Sequence, residues 1–189
     1  SFRSKGGWVG AGVGRAAALL FAAPPLIKSG PLAEEDVVLI ARGLGVARSD
    51  ILHHAWCDNG PNWRGVMLRS AAQVLALKPD GAILAGLDVG VVGPRGKVGV
   101  VGSSDADGIA FEVRAFFPGN NGLAEDPVTG SLNAALAQWL IGAGLAPARY
   151  VASQGTALGR AGRVHVEQDG ADIWVGGHTV TCISGTVRL

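Results

Sequence analysis

Residues 132–141 read Leu-Asn-Ala-Ala-Leu-Ala-Gln-Trp-Leu-Ile, and only Asn133 and Gln138 interrupt their apolar character. Leu132, Ala135, Leu136, Trp139 and Leu140 follow the i, i+3, i+4, i+7, i+8 spacing of one helical face, while Ala134, Ala137 and Ile141 cover much of the other. A helix that is apolar nearly all round is not a surface helix and has to be enclosed. The rest of the chain must therefore supply a wrapper. The short strand candidates and glycine-rich turns on either side of the helix predict that the wrapper is a sheet.

The residues leading into this helix carry chemistry. Glu125-Asp126-Pro127-Val128-Thr129-Gly130-Ser131 place two carboxylates, a rigid turn, two hydroxyls and a close-approach glycine at its start. Backbone N–H groups in the first turn of a helix have no intrahelical acceptor, and the helix dipole adds partial positive charge there, so such a tip attracts anions. If the helix body is wrapped by sheet, its tip is held on a rigid element at the floor of a cleft, where a carboxylate-bearing substrate fits. The same residues suit a plain capping role, in which Asp126, Thr129 and Ser131 satisfy the orphan donors and do nothing more. The pattern of residue types leaves both readings open.

Bulk properties remove several function classes. A chain of 189 residues with 48% hydrophobic content has material for one sizeable core. Its 16 basic and 15 acidic residues leave a net charge of +1 without a run of like charge, so the electrostatic footprint of a nucleic-acid binder is missing. The 30 glycines, beside only 16% charged residues, suit a β-rich domain with many tight turns and a partly covered surface. Cys57 and Cys182 are isolated, without CxxC or His/Cys ligand spacing, so neither a disulfide framework nor a zinc site is expected. Both read as packed core residues, and a cytoplasmic location is the simpler expectation. Val9 to Ile27 is the most hydrophobic stretch, but Arg15 and Pro24-Pro25 interrupt it and no small-residue cleavage site follows, which argues against a membrane span or a signal peptide.

Other tempting motifs are weak. Gly10-Ala11-Gly12-Val13-Gly14 precedes a strand and lacks the G-x-G-x-x-G pattern of a dinucleotide loop. His53 and His54 are adjacent on a strand and point to opposite faces, with no further ligand suitably spaced. Gly93-Pro94-Arg95-Gly96 reads as a turn. Asn59-Gly60 lies in a sharp turn between two apolar strands and serves either as a bare hairpin turn or as backbone that touches substrate.

Along the chain, residues 16–23 read as a buried strand ended by Pro24-Pro25, and Pro31 with Glu34-Glu35-Asp36 opens a helix to about Gly43 whose inner face is Val37, Ile40, Ala41 and Leu44. Strands are expected at 51–57 and 63–68, a short helix at 70–77 and a second after Pro79-Asp80. Further strands are expected at 89–92, 98–101 and 109–117, the last followed by a loop at 118–122. Residues 163–167 and 173–175 flank Asp169-Gly170, a hairpin signal, and short strands at 178–182 and 185–189 complete the reading. No linker, low-complexity tract or repeat divides the chain. The class is α+β, with a curved, mostly antiparallel sheet wrapped around a buried central helix.

Arg114-Ala115-Phe116-Phe117-Pro118, then Gly122, then the segment Glu125 to Ser131, resembles the PhzF family of phenazine-biosynthesis-like isomerases. Further pieces similar to family blocks occur in order: Phe21-Ala22-Ala23-Pro24-Pro25, Asp58-Asn59-Gly60-Pro61-Asn62-Trp63, Gln154-Gly155 with Gly159-Arg160-Ala161-Gly162, and Gly176-Gly177. The resemblance runs from about residue 8 to the end. It implies a diaminopimelate-epimerase-like fold, in which two pseudo-symmetric lobes each wrap a central helix and the active site lies between them. Residues 1–189 correspond to the C-terminal lobe alone. The family's N-terminal lobe, with its acid/base glutamate and Gly-His-Pro motif, has no counterpart here, and either a truncated chain or a half-length protein that rebuilds a two-lobed cleft as a homodimer would account for that.

Carried over residue by residue, the resemblance implies that Asp126 is the cleft carboxylate that positions and polarises the substrate. Gly130 and Ser131 offer N–H and hydroxyl groups to the substrate's carboxylate, Thr129 shapes that pocket, and the Asn59-Gly60 turn approaches it. Leu132-Asn133 departs from the small residue followed by a polar one that the family often has. The implied chemistry is proton abstraction next to a carboxylate and reprotonation elsewhere, without a metal or an organic cofactor. The competing expectation is a non-catalytic lobe that keeps the anion-binding tip and lacks the acid/base group.

Overall fold

The computed structural model describes residues 17–97, 99–120, 122–179, 182–183 and 185–186. Among them, nine strands form one sheet: β1 (Ala17–Ala22), β2 (Ile51–Trp56), β3 (Trp63–Leu68), β4 (Asp88–Pro94), β5 (Phe111–Gly119), β6 (Gly122–Asp126), β7 (Arg149–Gln154), β8 (Gly162–Asp169) and β9 (Asp172–Thr179). The spatial order is β1-β9-β8-β7-β5-β4-β3-β2, with β6 beside β5. The helices are α1 (Glu34–Leu44), α2 (Ala71–Ala76) and α3 (Gly130–Gly142).

The pairings are antiparallel except for β3 with β4 and β5 with β7. Parallel neighbours need a crossover, and a helix lies on each one: α2 between β3 and β4, α3 between β5 and β7. The two helices pack on opposite faces. On one side, Val66 and Leu68 of β3, Val89 and Val91 of β4 and Phe116 of β5 meet Val37, Ile40, Ala41 and Leu44 of α1 and Val74 of α2. The alternate residues, Trp63, Met67, Val92, Phe111, Val113 and Ala115, join Tyr150, Ala152, Val164, Val166, Ile173 and Val175 around Leu132, Ala135, Leu136 and Leu140 of α3. Strand alternation thus splits the apolar residues into two cores.

The α3 core draws on six strands from β3 to β9. Laid flat at about 4.8 Å spacing, those strands would be about twice as wide as a helix, so the sheet has to curve to reach it. Every residue from Leu132 to Ala137 is buried, as the all-round apolar pattern requires. Gly90 makes one close approach possible: a Cβ there would lie 2.3 Å from Leu132 Cδ1.

Sequence expectations held for α1, whose buried residues include Val37, Ile40, Ala41 and Leu44, for α2, which Ser70 caps, and for the extents of strands β2 and β3. By contrast, β1 forms but is not the buried strand expected at 16–23: it lies at the edge of the sheet and Leu19 is 61% exposed. The hairpin at residue 170 also forms, with Asp169 paired to Asp172 and Gly170 at φ +60. Other expectations fail. Residues 99–102 form a turn, with Gly99 and Gly102 at positive φ and Val100 and Val101 exposed, and Val98 lies outside the described residues. Only turns follow Asp80, whose carboxylate caps Ala82 and Ile83 before Gly86 turns left-handed. Gly93 and Pro94 still belong to β4, so the turn begins at Arg95.

At the end of the chain, His178 and Thr179 finish β9. Cys182 is exposed and in no strand, which corrects its reading as a core residue, whereas Cys57 is buried. Gly185 and Thr186 are in no strand, and 180–181 and 187–189 lie outside the described residues, as do Gly10 to Gly14. The sequence pattern missed β6 and β7. Glycine-rich and acidic residues disguise the first, and Ser153-Gln154 disguise the second.

Candidate functional site

β6 and β7 occupy the same edge of β5 from opposite ends. β6 finishes at Asp126, opposite Ala115, and β7 finishes at Gln154, opposite Val113. The sheet edge is therefore interrupted beside Arg114, and the chain leaves through that break at Pro127 to begin α3 at Gly130. This geometry sets the N-terminal tip of the enclosed helix at the place where two strand ends meet.

Gln154, fully buried, ties the junction together. Its Oε1 accepts from Thr129 N at 3.1 Å and from Asn133 Nδ2 at 2.7 Å, while its Nε2 donates to Asp126 O at 2.9 Å and to Thr129 Oγ1 at 2.9 Å. Asn133 Nδ2 also donates to Thr129 O at 2.8 Å. Both polar termini of Gln154 are used twice, which leaves the amide one orientation. On the outer side, Gly155 has φ +87 and packs so closely that a Cβ would lie 2.6 Å from Pro127 O. A residue other than glycine cannot support the turn in this way.

Thr129 holds the N-cap position but makes no side-chain cap, because its hydroxyl accepts from Gln154. Asp126 does not reach the helix either: its Oδ1 accepts from Val128 N at 3.2 Å. Among the described residues no acceptor takes the N–H groups of Gly130, Ser131 or Leu132. The plain capping role, in which these side chains consume the orphan donors, is not what the structure shows. Gly130 is exposed and Ser131 half-buried, so the tip is open.

The Asn59 turn meets the same tip. Asn59 Nδ2 donates to Ser131 O at 2.9 Å and Trp63 Nε1 donates to Ser131 Oγ at 3.1 Å. Asn59 Oδ1 is buried without a donor. Gly60, at φ +136, donates its N–H to Asp58 Oδ1 at 2.9 Å and contributes the reversal of the chain. Asp126, Thr129, Gly130, Ser131 and Asn59 are therefore gathered at one end of α3. Ile27, whose N–H donates to Asp58 O, and Val128 are exposed apolar residues of the same region.

Glu125 is not part of this group, although the sequence places it beside Asp126. Successive strand residues face opposite sides, and Glu125 makes a two-pronged pair with Arg114 at 2.9 and 2.7 Å. Arg114 also donates to the carbonyls of Val74 and Leu77 at the end of α2. One carboxylate serves the tip and the other serves the opposite core.

Several other titratable residues lie elsewhere. Burial pushes the Cys57 thiol up to about 12. His54 accepts from Leu32 N through Nδ1 at 3.1 Å while His53 is exposed, the in-and-out pair expected of a strand. His165 and His178 stack edge to face, with ring centroids 5.5 Å apart. No three His, Cys, Asp or Glu side chains cluster as a metal site among the described residues, nor is any described helix long and apolar enough to cross a membrane. A dry gap borders the flank of α3, and an open depression of about 650 Å³ is lined by Arg114, Phe116, Leu123 and Glu125. Neither includes Asp126, Gly130 or Ser131.

Sequence reasoning quoted Gln154 and Trp63 only within family-like blocks and gave neither a role. For Gln154 the one signal was its place in the Gln154-Gly155 block. Trp63 looked only like an apolar strand residue.

The sequence model of the phenazine biosynthesis-like protein family matches residues 9–185. No curated protein matches. Three solved structures share the fold. A PhzF-family phenazine biosynthesis protein from Enterococcus faecalis is 21% identical with a TM-score of 0.59, the match covering 87% of this chain and 58% of that one. One from Bacillus anthracis is 14% identical with a TM-score of 0.61, covering 87% and 61%. A protein described as a predicted epimerase from Pseudomonas aeruginosa is 19% identical with a TM-score of 0.59, covering 88% and 59%. The chain spans about three fifths of the length of these structures.

Proposed function

This chain belongs to the phenazine biosynthesis-like family, and on that premise we propose that it is the C-terminal lobe of an isomerase or epimerase of the PhzF type, acting by proton transfer on a small substrate that bears a carboxylate. The observation that carries the proposal is the unused first turn of α3. Three N–H groups point out of a buried helix whose cap residue is held back by Gln154, and such a tip is arranged for an anion.

In this reading the substrate carboxylate docks on the N–H groups of Gly130 and Ser131 and on the Ser131 hydroxyl. Thr129 shapes the floor, the Asn59-Gly60 turn forms a wall, and Asp126 beside them orients and polarises the reacting carbon. Oriented donors stabilise the negative charge that develops on proton removal, so the reaction requires neither metal nor organic cofactor. The proton donor and acceptor, together with the facing wall, belong to the lobe that the longer relatives carry.

The test is exchange of substrate protons with deuterated water, catalysed by the full-length protein on a panel of small carboxylic acids. Asp126→Asn should lower exchange by at least about a hundredfold. A competing reading, an anion-binding lobe without chemistry, is favoured by Glu125, which faces away from the tip and pairs with Arg114. Binding of a carboxylate with no exchange at any carbon would decide for it.

A further inference from the structure

The Ser131 hydroxyl has a direction imposed on it. The indole N–H of Trp63 only donates, so Ser131 Oγ, 3.1 Å away, must accept there through a lone pair. The one hydroxyl proton is left over. Among the described residues no acceptor takes it, and even Asn59 Oδ1, buried close by, receives no hydrogen bond. Trp63 is itself fixed: it is 4% exposed, it belongs to the α3 core, and its backbone bonds Pro61 O at 2.8 Å and Cys57 N at 2.9 Å. Asn59 holds the carbonyl of the same serine.

We propose that Trp63 is a positioning residue: by occupying one lone pair of the Ser131 hydroxyl it directs the hydroxyl proton away from the indole and biases the group towards donation, so that the tip of α3 favours a carboxylate over the matching carboxamide. The inference rests on the proposed anion site and adds what makes it selective. With the three N–H groups of Gly130, Ser131 and Leu132, the hydroxyl completes a set of donors. A carboxamide presents an NH2 to one of those donors and loses a bond there.

Benzoate and benzamide, titrated against the full-length protein by calorimetry, are the probes. Ser131→Ala should weaken benzoate about tenfold. Trp63→Phe should weaken benzoate severalfold, leave benzamide nearly unchanged, and have no added effect in the Ser131→Ala background, because the tryptophan acts only through that hydroxyl. Additive losses in the double variant, or an unchanged benzoate-to-benzamide ratio in Trp63→Phe, would overturn the proposal. If Ser131→Ala itself changes nothing, the anion site is wrong as well, which separates the two failures. Should Trp63→Phe not fold, the wild-type indole N–H resonance of Trp63 decides: it must shift with benzoate and not with benzamide, and equal or absent shifts contradict the role.

Discussion

Gln154 and Thr129 are joined by two hydrogen bonds, Thr129 N to Gln154 Oε1 at 3.1 Å and Gln154 Nε2 to Thr129 Oγ1 at 2.9 Å. A threonine in the N-cap position ordinarily folds its hydroxyl back on the first turn. Here a fully buried glutamine from the neighbouring strand end occupies both polar groups of the cap, and the first-turn donors remain unused.

Replacing Gln154 with Leu removes four bonds at once and leaves the buried Thr129 N without its partner. The expected loss is about 3 kcal/mol of unfolding free energy, read by urea denaturation. Thr129 becomes free to cap the helix, so surviving folded protein should also bind small carboxylates more weakly.

Glu125→Gln should separate stability from function. Its carboxylate pairs with Arg114 in a setting where the two side chains are only 12% and 7% exposed, and weakening a buried pair from one side costs about 2–4 kcal/mol. Binding at the α3 tip should change less than twofold, because the residue faces the α2 side. A large binding loss without destabilisation would contradict this division.

Gly155→Ala tests the brace behind Pro127. The left-handed φ and the 2.6 Å approach to Pro127 O both oppose a Cβ, so the variant should lose more than about 1 kcal/mol. Gly159→Ala, which also has positive φ but nothing within 4 Å, should cost less.

The two cysteines should differ in reactivity. At pH 8 a thiol reagent should modify exposed Cys182 quickly and buried Cys57 only on unfolding. Because burial raises the Cys57 thiol to about 12, the folded state holds a proton that the unfolded state releases near pH 8.5. Its contribution is complete below that pH and declines as pH rises from about 9 towards 12. Cys57→Ala should flatten that decline.

The enclosed helix was legible because its message is local: consecutive residues from Leu132 to Ile141 show their burial in composition alone. The sheet that wraps it was legible in part, as an apolar run in β3, as alternation in β8 and as turn chemistry at Gly170. The break in the sheet edge was not. It depends on Val113 pairing with Gln154 and Ala115 with Asp126, long-range contacts that no periodicity encodes. For the same reason sequence reading placed Asp126 and Ser131 at the start of the helix but took Glu125 as their companion. Strand alternation would have separated the two carboxylates had β6 been recognised. Trp63 was given no role because its apolar ring hides a single donor whose importance depends on the residue opposite.

Amide resonances of the full-length protein, followed by NMR through a benzoate titration, test the central claim most directly. The account predicts saturable shifts centred on the N–H groups of Gly130, Ser131 and Leu132, lost in Ser131→Pro, which puts a ring where the second donor stands. Shifts centred on another surface, such as the arginines Arg95 and Arg163, with the start of α3 unmoved at saturation, would contradict it.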